Sequence, residues 1–352
     1  MSTRRRAEFV AAVCCVALVG ACGSNGAAPR AAPPGMVWIP GGEFTMGSDG
    51  AWAWDHERPA HRVRVSGFFV DVHEVTNEQF ATFVAATGHV TVAERAADWE
   101  VMRAQLPRGT PRPSDAELAP GSLVFAAQAD AAFESDGDGD VANADIGSWW
   151  HWQPGADWRH PEGPQSTIEG RERQPVVHVA YADALAYAAW AGKRLPTEAE
   201  WEFAARGGLD GARYAWGDEE RLVPAARANV WQGVFPGDNS REDGFVGAAP
   251  VGSFAPNGYG LFDVAGNVWE WTSTLYAADA HALAAASGTV VVDPKGPAKS
   301  WNPNAPNEIQ RVTKGGSFLC HPSYCDNDRP SSRMGTEEQT SLVHTGFRCV
   351  AD

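Results

Sequence analysis

Cys320 and Cys325 stand five positions apart in KGGSFLCHPSYCDNDRP, residues 314 to 330. Two thiolates held this close suit a soft monovalent ion such as Cu(I), which prefers sulfur and tolerates two-coordinate geometry. Zinc wants four ligands, and between the two cysteines only His321 could add one. A local disulfide is the alternative, and the loop length permits it. Stapling explains the pair poorly, because an exported domain held by disulfides usually carries more cysteines and an even number of them. Of the six cysteines here, Cys14, Cys15 and Cys22 fall in the leader, so the remainder of the chain keeps only Cys320, Cys325 and Cys349.

That leader opens with Arg4, Arg5 and Arg6 and continues in an apolar run from Phe9 to Ala21. The run is too short for a mature membrane span and has the length of a signal-peptide core. It closes on Val19-Gly20-Ala21-Cys22, similar to a bacterial lipobox, which predicts removal of residues 1–21, lipidation of Cys22 and an extracytoplasmic, membrane-anchored protein. Residues 22–35, rich in Gly, Ala and Pro, read as a tether. Beyond them, 44% hydrophobic and 20% charged residues in a chain of 352 are ample for a large core. A net charge of −16, with no basic cluster beyond the leader, argues against a nucleic-acid surface. Fifteen Trp, 37 Gly and 24 Pro point to ordered loops pinned by aromatic rings more than to long regular elements.

Several short elements must carry the thiol loop. MVWIPGGEFTMGS, from residue 36, alternates around Pro40-Gly41-Gly42 and reads as two strands of a hairpin. The next alternating stretch is HRVRVSGFFVDVHEV, from residue 61. A helix is predicted after Thr76, with Gln79 completing a capping box and Gly88 as the stop. A strand, a helix around Asp183 to Ala191 ended by Gly192, and a second helix follow. The second has Thr197 and Glu200 as its capping box, Gly207-Gly208 as its end, and Trp201 with Ala204 or Ala205 facing the core. Between these regions, residues 90–148 are Ala-rich and acidic, and Asp136, Asp138 and Asp140 lack the spaced glutamate of a calcium loop, so they read as a solvated insertion. One domain over residues 36–352 fits the whole pattern.

The runs MVWIPGGEFTMGS, HEVTNEQFATFV, KRLPTEAEWEFAARGG, ANVWQGVFPGDNSREDGF, NGYGLFDVAGNVWEWTS, RVTKGGSFLCHPSYC and HTGFRC together resemble the sulfatase-modifying domain of formylglycine-generating enzymes. The resemblance implies an α+β, C-type-lectin-like fold with little regular secondary structure. It implies an oxidase that converts the cysteine of a C-x-P-x-R segment in an unfolded sulfatase polypeptide to formylglycine, with O2 as acceptor and a thiol reductant. Cys320 and Cys325 would hold Cu(I), with the substrate thiol as a third sulfur. Ser317 is implied as a catalytic polar contact, and His321, Tyr324 and Trp269 as parts of the substrate pocket. Two structural Ca2+ positions are implied as well. One has the side chains of Asn229 and Asp243 with the carbonyls of Val230 and Phe245, and the other has Asp263 and Glu270 with the carbonyls of Gly266 and Val268.

Competing readings come from other classes. A calcium-stabilised, lectin-like binding module with a decorative disulfide would need neither copper nor free thiols. An iron-dependent sulfur-transfer enzyme would need a three-histidine site, for which no helical histidine spacing is present. The chain also departs from animal members of the family: Ala188 and Ala204 or Ala205 stand where those carry cysteines, which leaves Cys349 as a buried free thiol.

Overall fold

The first two strands form as the alternation predicts, but they do not pair with each other. β1 (Met36–Ile39) and β2 (Gly42–Met46) belong to different sheets in the computed structural model, which describes residues 31–106, 108–126, 149–219 and 227–352. β2 pairs antiparallel with β3 (His61–Val65), and β1 with β4 (Phe68–Asp71). The backbone of residues 65–67 prevents the hairpin: a Cβ on Gly41, whose φ is +71°, would lie 2.6 Å from the Val65 carbonyl oxygen. Only glycine admits that approach at that φ. The lipobox, Cys22 and the acidic run with Asp136, Asp138 and Asp140 lie outside the described residues.

α1 (Asn77–Thr87) begins and ends where its signals stand. Thr76 Oγ1 accepts the Gln79 N–H at 3.3 Å, Gln79 Oε1 accepts the Thr76 N–H at 2.9 Å, and Gly88 closes the helix in the left-handed conformation. After α2 (Trp99–Gln105), β5 (Gly121–Phe125) pairs antiparallel with β6 (Trp150–Pro154). α3 (Tyr181–Trp190) packs against α1 through Phe80, Phe83 and Tyr187 in a core that also holds Ala188 and Cys349. α4 (Glu198–Ala205) starts at the Thr197–Glu200 capping box.

α4 is buried on every side, further than its periodicity predicts. Its glutamates survive burial because each meets a cation. Glu198 pairs with Arg333 at 2.6 Å, Glu200 with Arg194 at 2.8 Å, and Glu202 with Lys314 at 3.1 Å and Arg206 at 2.8 Å. A charge this deep is tolerated only when paired and hydrogen-bonded.

The paired face of α4 lies against the sheet that carries the cysteines. β9 (Trp269–Leu275) and β11 (Gln310–Lys314) are its central antiparallel strands, with β12 (Met334–Glu337) beside β11 and β13 (Thr345–Gly346) parallel to β9. The thiol loop leaves β11 and returns as β12. Three further pieces finish the architecture: the short β7 (Gly233–Val234) and β8 (Asp238–Asn239) ribbon, and α5 (Ala280–Ala286), which leads to β10 (Val291–Val292) beside β3. Finally, β14 (Val350–Ala351) adds to β4. The result is α+β with small sheets joined by long ordered loops. Among the described residues no helix is long and apolar enough to cross a membrane.

Candidate active site

Lys314 ends β11 fully buried on Glu202, and Gly315-Gly316 then turn the chain with φ of +93° and +74°. A Cβ at Gly316 would sit 3.0 Å from the backbone of Asn327, so the glycine lets the outgoing and returning arms of the loop touch. Two consecutive turns follow. The Cys320 N–H donates to the Ser317 carbonyl at 2.9 Å, and the Cys325 N–H to the His321 carbonyl at 2.7 Å. These turns bring the Cys320 and Cys325 thiols within hydrogen-bonding reach of each other, and both are free.

The pocket around the thiols is apolar. Ala228, Val230, Ala265 and Trp269 enclose the sulfurs, with Tyr324, Trp216 and Met334 half-buried at the edge. Cys320 is fully buried, whereas Cys325 keeps 9% of its surface exposed, so an incoming group meets Cys325 first. Burial pushes the Cys320 thiol up, and the neighbouring Cys325 and the Asp328 carboxylate push in the same direction. A cation reverses that balance, because it favours the thiolate that burial disfavours. The donor set is two soft sulfurs in a dry pocket, and no cluster of three or more His, Cys, Asp or Glu suited to a metal occurs among the described residues. Two such thiols fit Cu(I) and do not complete a zinc site.

The other motif residues take distinct places. Ser317 approaches Cys320 through its backbone, the N–H donating to Sγ at 3.3 Å, while its hydroxyl accepts the Leu319 N–H at 3.2 Å. His321 Nδ1 lies 2.8 Å from the Ser323 hydroxyl. Tyr324 stacks on Phe235 with centroids 4.4 Å apart and meets Trp149 edge-on at 5.4 Å. Burial raises the Tyr324 hydroxyl to about 12, so it stays protonated at neutral pH. Trp269 is 1% exposed and forms part of the wall.

Two clefts flank this centre. One of about 740 Å³ runs from Val92 and Asp98 past α2 to β12, and shares Met334 with the thiol pocket. The other, of about 690 Å³, is lined by Trp231 and by Phe318 and Leu319 of the thiol loop.

The oxygen-rich positions fall into two groups. In the first, the Val230 carbonyl and Asp243 Oδ2 converge on one donor, the Gln232 amide nitrogen, at 2.6 and 2.9 Å. Asp243 Oδ1 accepts the Phe245 N–H at 2.9 Å, and the Asn229 amide turns to the Gly247 carbonyl and Asn267. In the second, Asp263 Oδ2 accepts the Gly252 N–H at 2.7 Å, while Oδ1 is buried without a hydrogen-bond partner. Both Glu270 oxygens are held by Arg348, one of them also by the Trp201 indole. A residue that motif reading missed completes this group: Glu74, fully buried, leaves Oε2 without a hydrogen-bond partner. Burial and the facing Asp263 push the Glu74 carboxyl well up, and burial chiefly raises Asp263 to about 6. Two buried carboxyls facing each other require a shared proton or a cation. Hard oxygens of this kind fit calcium. The signal for Glu74 was an acid inside the apolar alternation VDVHEV, where a buried position would otherwise be apolar.

Residues 22–352 match the family described as the sulfatase-modifying factor enzyme 1-like domain. A formylglycine-generating enzyme of Thermomonospora curvata is 48% identical over 326 residues, covering 92% of this chain and 95% of that protein. An inactive C-alpha-formylglycine-generating enzyme 2 of Mus musculus is 37% identical over 325 residues, covering 92% of this chain and 87% of that protein. Among solved structures, PvdO from Pseudomonas aeruginosa superposes with a TM-score of 0.55 at 23% identity, over 90% of this chain and 94% of that one. That likeness concerns the fold, which is the C-type-lectin-like α+β arrangement. With the match spanning nearly the whole chain, the protein belongs to the sulfatase-modifying factor family.

Proposed function

We propose that this protein is a formylglycine-generating oxidase that acts on the cysteine of a C-x-P-x-R segment in an unfolded sulfatase polypeptide. Family membership alone does not carry the activity, since a relative named inactive also matches along its length. The observation that carries it is the pair of free thiols packed together in one apolar pocket beside a peptide-sized cleft.

Cys320 and Cys325 would hold Cu(I), which supplies a thiophilic, redox-active centre for O2. The chain's own residues do the rest. Trp269, Val230 and Ala265 exclude water, and the partial exposure of Cys325 leaves one side open to a third sulfur. The cleft that shares Met334 with this pocket carries the carboxylates of Asp98, Glu308 and Glu337 against the single guanidinium of Arg95, a net negative lining that complements the arginine of the substrate segment. His321, against the Ser323 hydroxyl, and Tyr324, stacked on Phe235, would line the approach. The net change converts a cysteine thiol, O2, two electrons and two protons into an aldehyde, hydrogen sulfide and water, so an external thiol reductant must supply the electrons. Structural Ca2+ at the Glu74–Asp263 and Val230–Asp243 groups would tie down loops that no strand supports. The leader supports an extracytoplasmic, lipid-anchored location.

The test is mass spectrometry of a C-x-P-x-R peptide incubated with the protein, O2 and a thiol reductant, with and without Cu(I). A copper-dependent change from cysteine to formylglycine is expected, lost in both Cys320→Ser and Cys325→Ser. Full activity in either variant overturns the reading.

A further inference from the structure

Each sulfur of the thiol pair has an N–H donor, but of a different kind. Cys320 Sγ accepts the Ser317 backbone N–H at 3.3 Å, whereas Cys325 Sγ accepts from the side-chain amide of Asn327 at 3.4 Å. An asparagine can present either its oxygen or its nitrogen, and only the nitrogen can donate. The surroundings of Asn327 decide which. The Trp54 indole N–H donates to Asn327 Oδ1 at 3.0 Å, and the Ser332 hydroxyl donates to the same oxygen. An indole nitrogen is a donor only, so the atom facing it must be the oxygen, and the NH2 group is thereby aimed at Cys325.

We propose that Asn327 is a positioning residue for the copper-binding thiol pair, locked in orientation by Trp54 and Ser332 so that its amide N–H fixes the Cys325 sulfur. The N–H···S contact stabilises negative charge on that sulfur and occupies one of its lone pairs, which directs the others toward Cys320 and the metal. Partners of this kind, behind a ligand, typically govern metal affinity by about 10- to 100-fold. Trp54 supplies its lock from the surface, 47% exposed and 273 positions away in sequence. Because it touches the amide and not the sulfur, it can be altered without disturbing the pocket. The inference rests on the copper reading above.

The test measures Cu(I) affinity by competition with a chromophoric Cu(I) chelator, and the thiolate charge-transfer band of the Cd(II)-loaded protein, for the full chain and its variants. Asn327→Leu, which removes the donor, and Asn327→Asp, which replaces it with an acceptor, are expected to weaken Cu(I) binding by about 10- to 100-fold. They should also move the Cd(II) band to longer wavelength, because the sulfur loses its hydrogen bond. Trp54→Phe keeps an aromatic ring but leaves Asn327 Oδ1 held by Ser332 alone, whose hydroxyl can equally accept from a flipped amide, so a shift of the same sign but smaller size is expected. Cu(I) affinity within twofold of the unaltered protein in Asn327→Leu, with the band unmoved, overturns the proposal. If the Asn327 variants fail to fold, Trp54→Phe decides, and an unchanged affinity and band there overturn it equally. Unaltered protein that takes up no Cu(I) overturns the copper reading instead, and the Cd(II) band then decides on Asn327 alone.

Discussion

Three cysteines remain beyond the leader, and their surroundings assign them different work. Cys320 and Cys325 face each other, whereas Cys349 sits alone in the core beside Ala188, with Tyr187 nearby. Burial pushes the Cys349 thiol well up, followed by the Asp71 carboxylate, so it stays protonated and inert. Replacing it by serine buries a hydroxyl in an apolar site. Cys349→Ser is therefore expected to lower stability by about 1–3 kcal/mol in a denaturant titration while leaving aldehyde formation intact. Loss of activity with unchanged stability would contradict the assignment of Cys320 and Cys325 as the working thiols.

At the level of elements, the site depends on a helix that its own polarity should have kept at the surface. α4 holds Glu198 and Glu202 beneath the sheet only because Arg333, Lys314 and Arg206 reach them from outside the helix or one turn on. Burial opposes ionisation of Glu198 most strongly, yet Arg333, His281 and Lys314 together more than offset it and hold the carboxyl far below its ordinary value. Removing Arg333 strands that charge, and Arg333→Met is expected to cost about 3–5 kcal/mol. The double variant Glu198→Met with Arg333→Met should recover most of the loss. A double variant no more stable than the single one would show that Arg333 acts through its contacts with the Ala277 and His56 carbonyls instead.

Across the whole molecule, proton and cation binding should set stability. His178, held between the Ser122 hydroxyl and the Pro161 carbonyl, and His344, against the Trp150 ring, are buried, and burial lowers them to about 4 and about 3. Both stay neutral in the fold, while the unfolded chain binds protons near pH 6.5. Stability from these residues is therefore present above about pH 6.5 and is lost as the pH falls through the folded values, by ~3 kcal/mol for His178 alone. Denaturant midpoints at pH 7 and pH 4.5 check the sign, and greater stability at pH 4.5 would refute it. The Glu74–Asp263 pair predicts the opposite kind of dependence, on a cation. Calcium at 100 times its dissociation constant should add about 2.7 kcal/mol. EDTA should lower Tm, Ca2+ should restore it, and Glu74→Gln should reduce the difference to what the Val230–Asp243 group contributes. Equal Tm values in EDTA and Ca2+ for the unaltered protein would remove calcium from this pair.

Local grammar was legible without coordinates. The capping boxes at Thr76–Gln79 and Thr197–Glu200, the Gly88 stop and the close thiol pair involve partners within five positions, so composition and spacing determine them directly. The partners of β1 and β2 were not legible, because the chain passing against Gly41 arrives from residues 65–67 and blocks the hairpin. Nor were the ion pairs beneath α4, the meeting of Glu74 with Asp263, or the Trp54 lock on Asn327. Each joins segments far apart in the chain, and the buried ones among them owe their strength to desolvation. A side chain's polarity states what burial would cost, and only the folded packing decides whether it is buried and which group answers its charge.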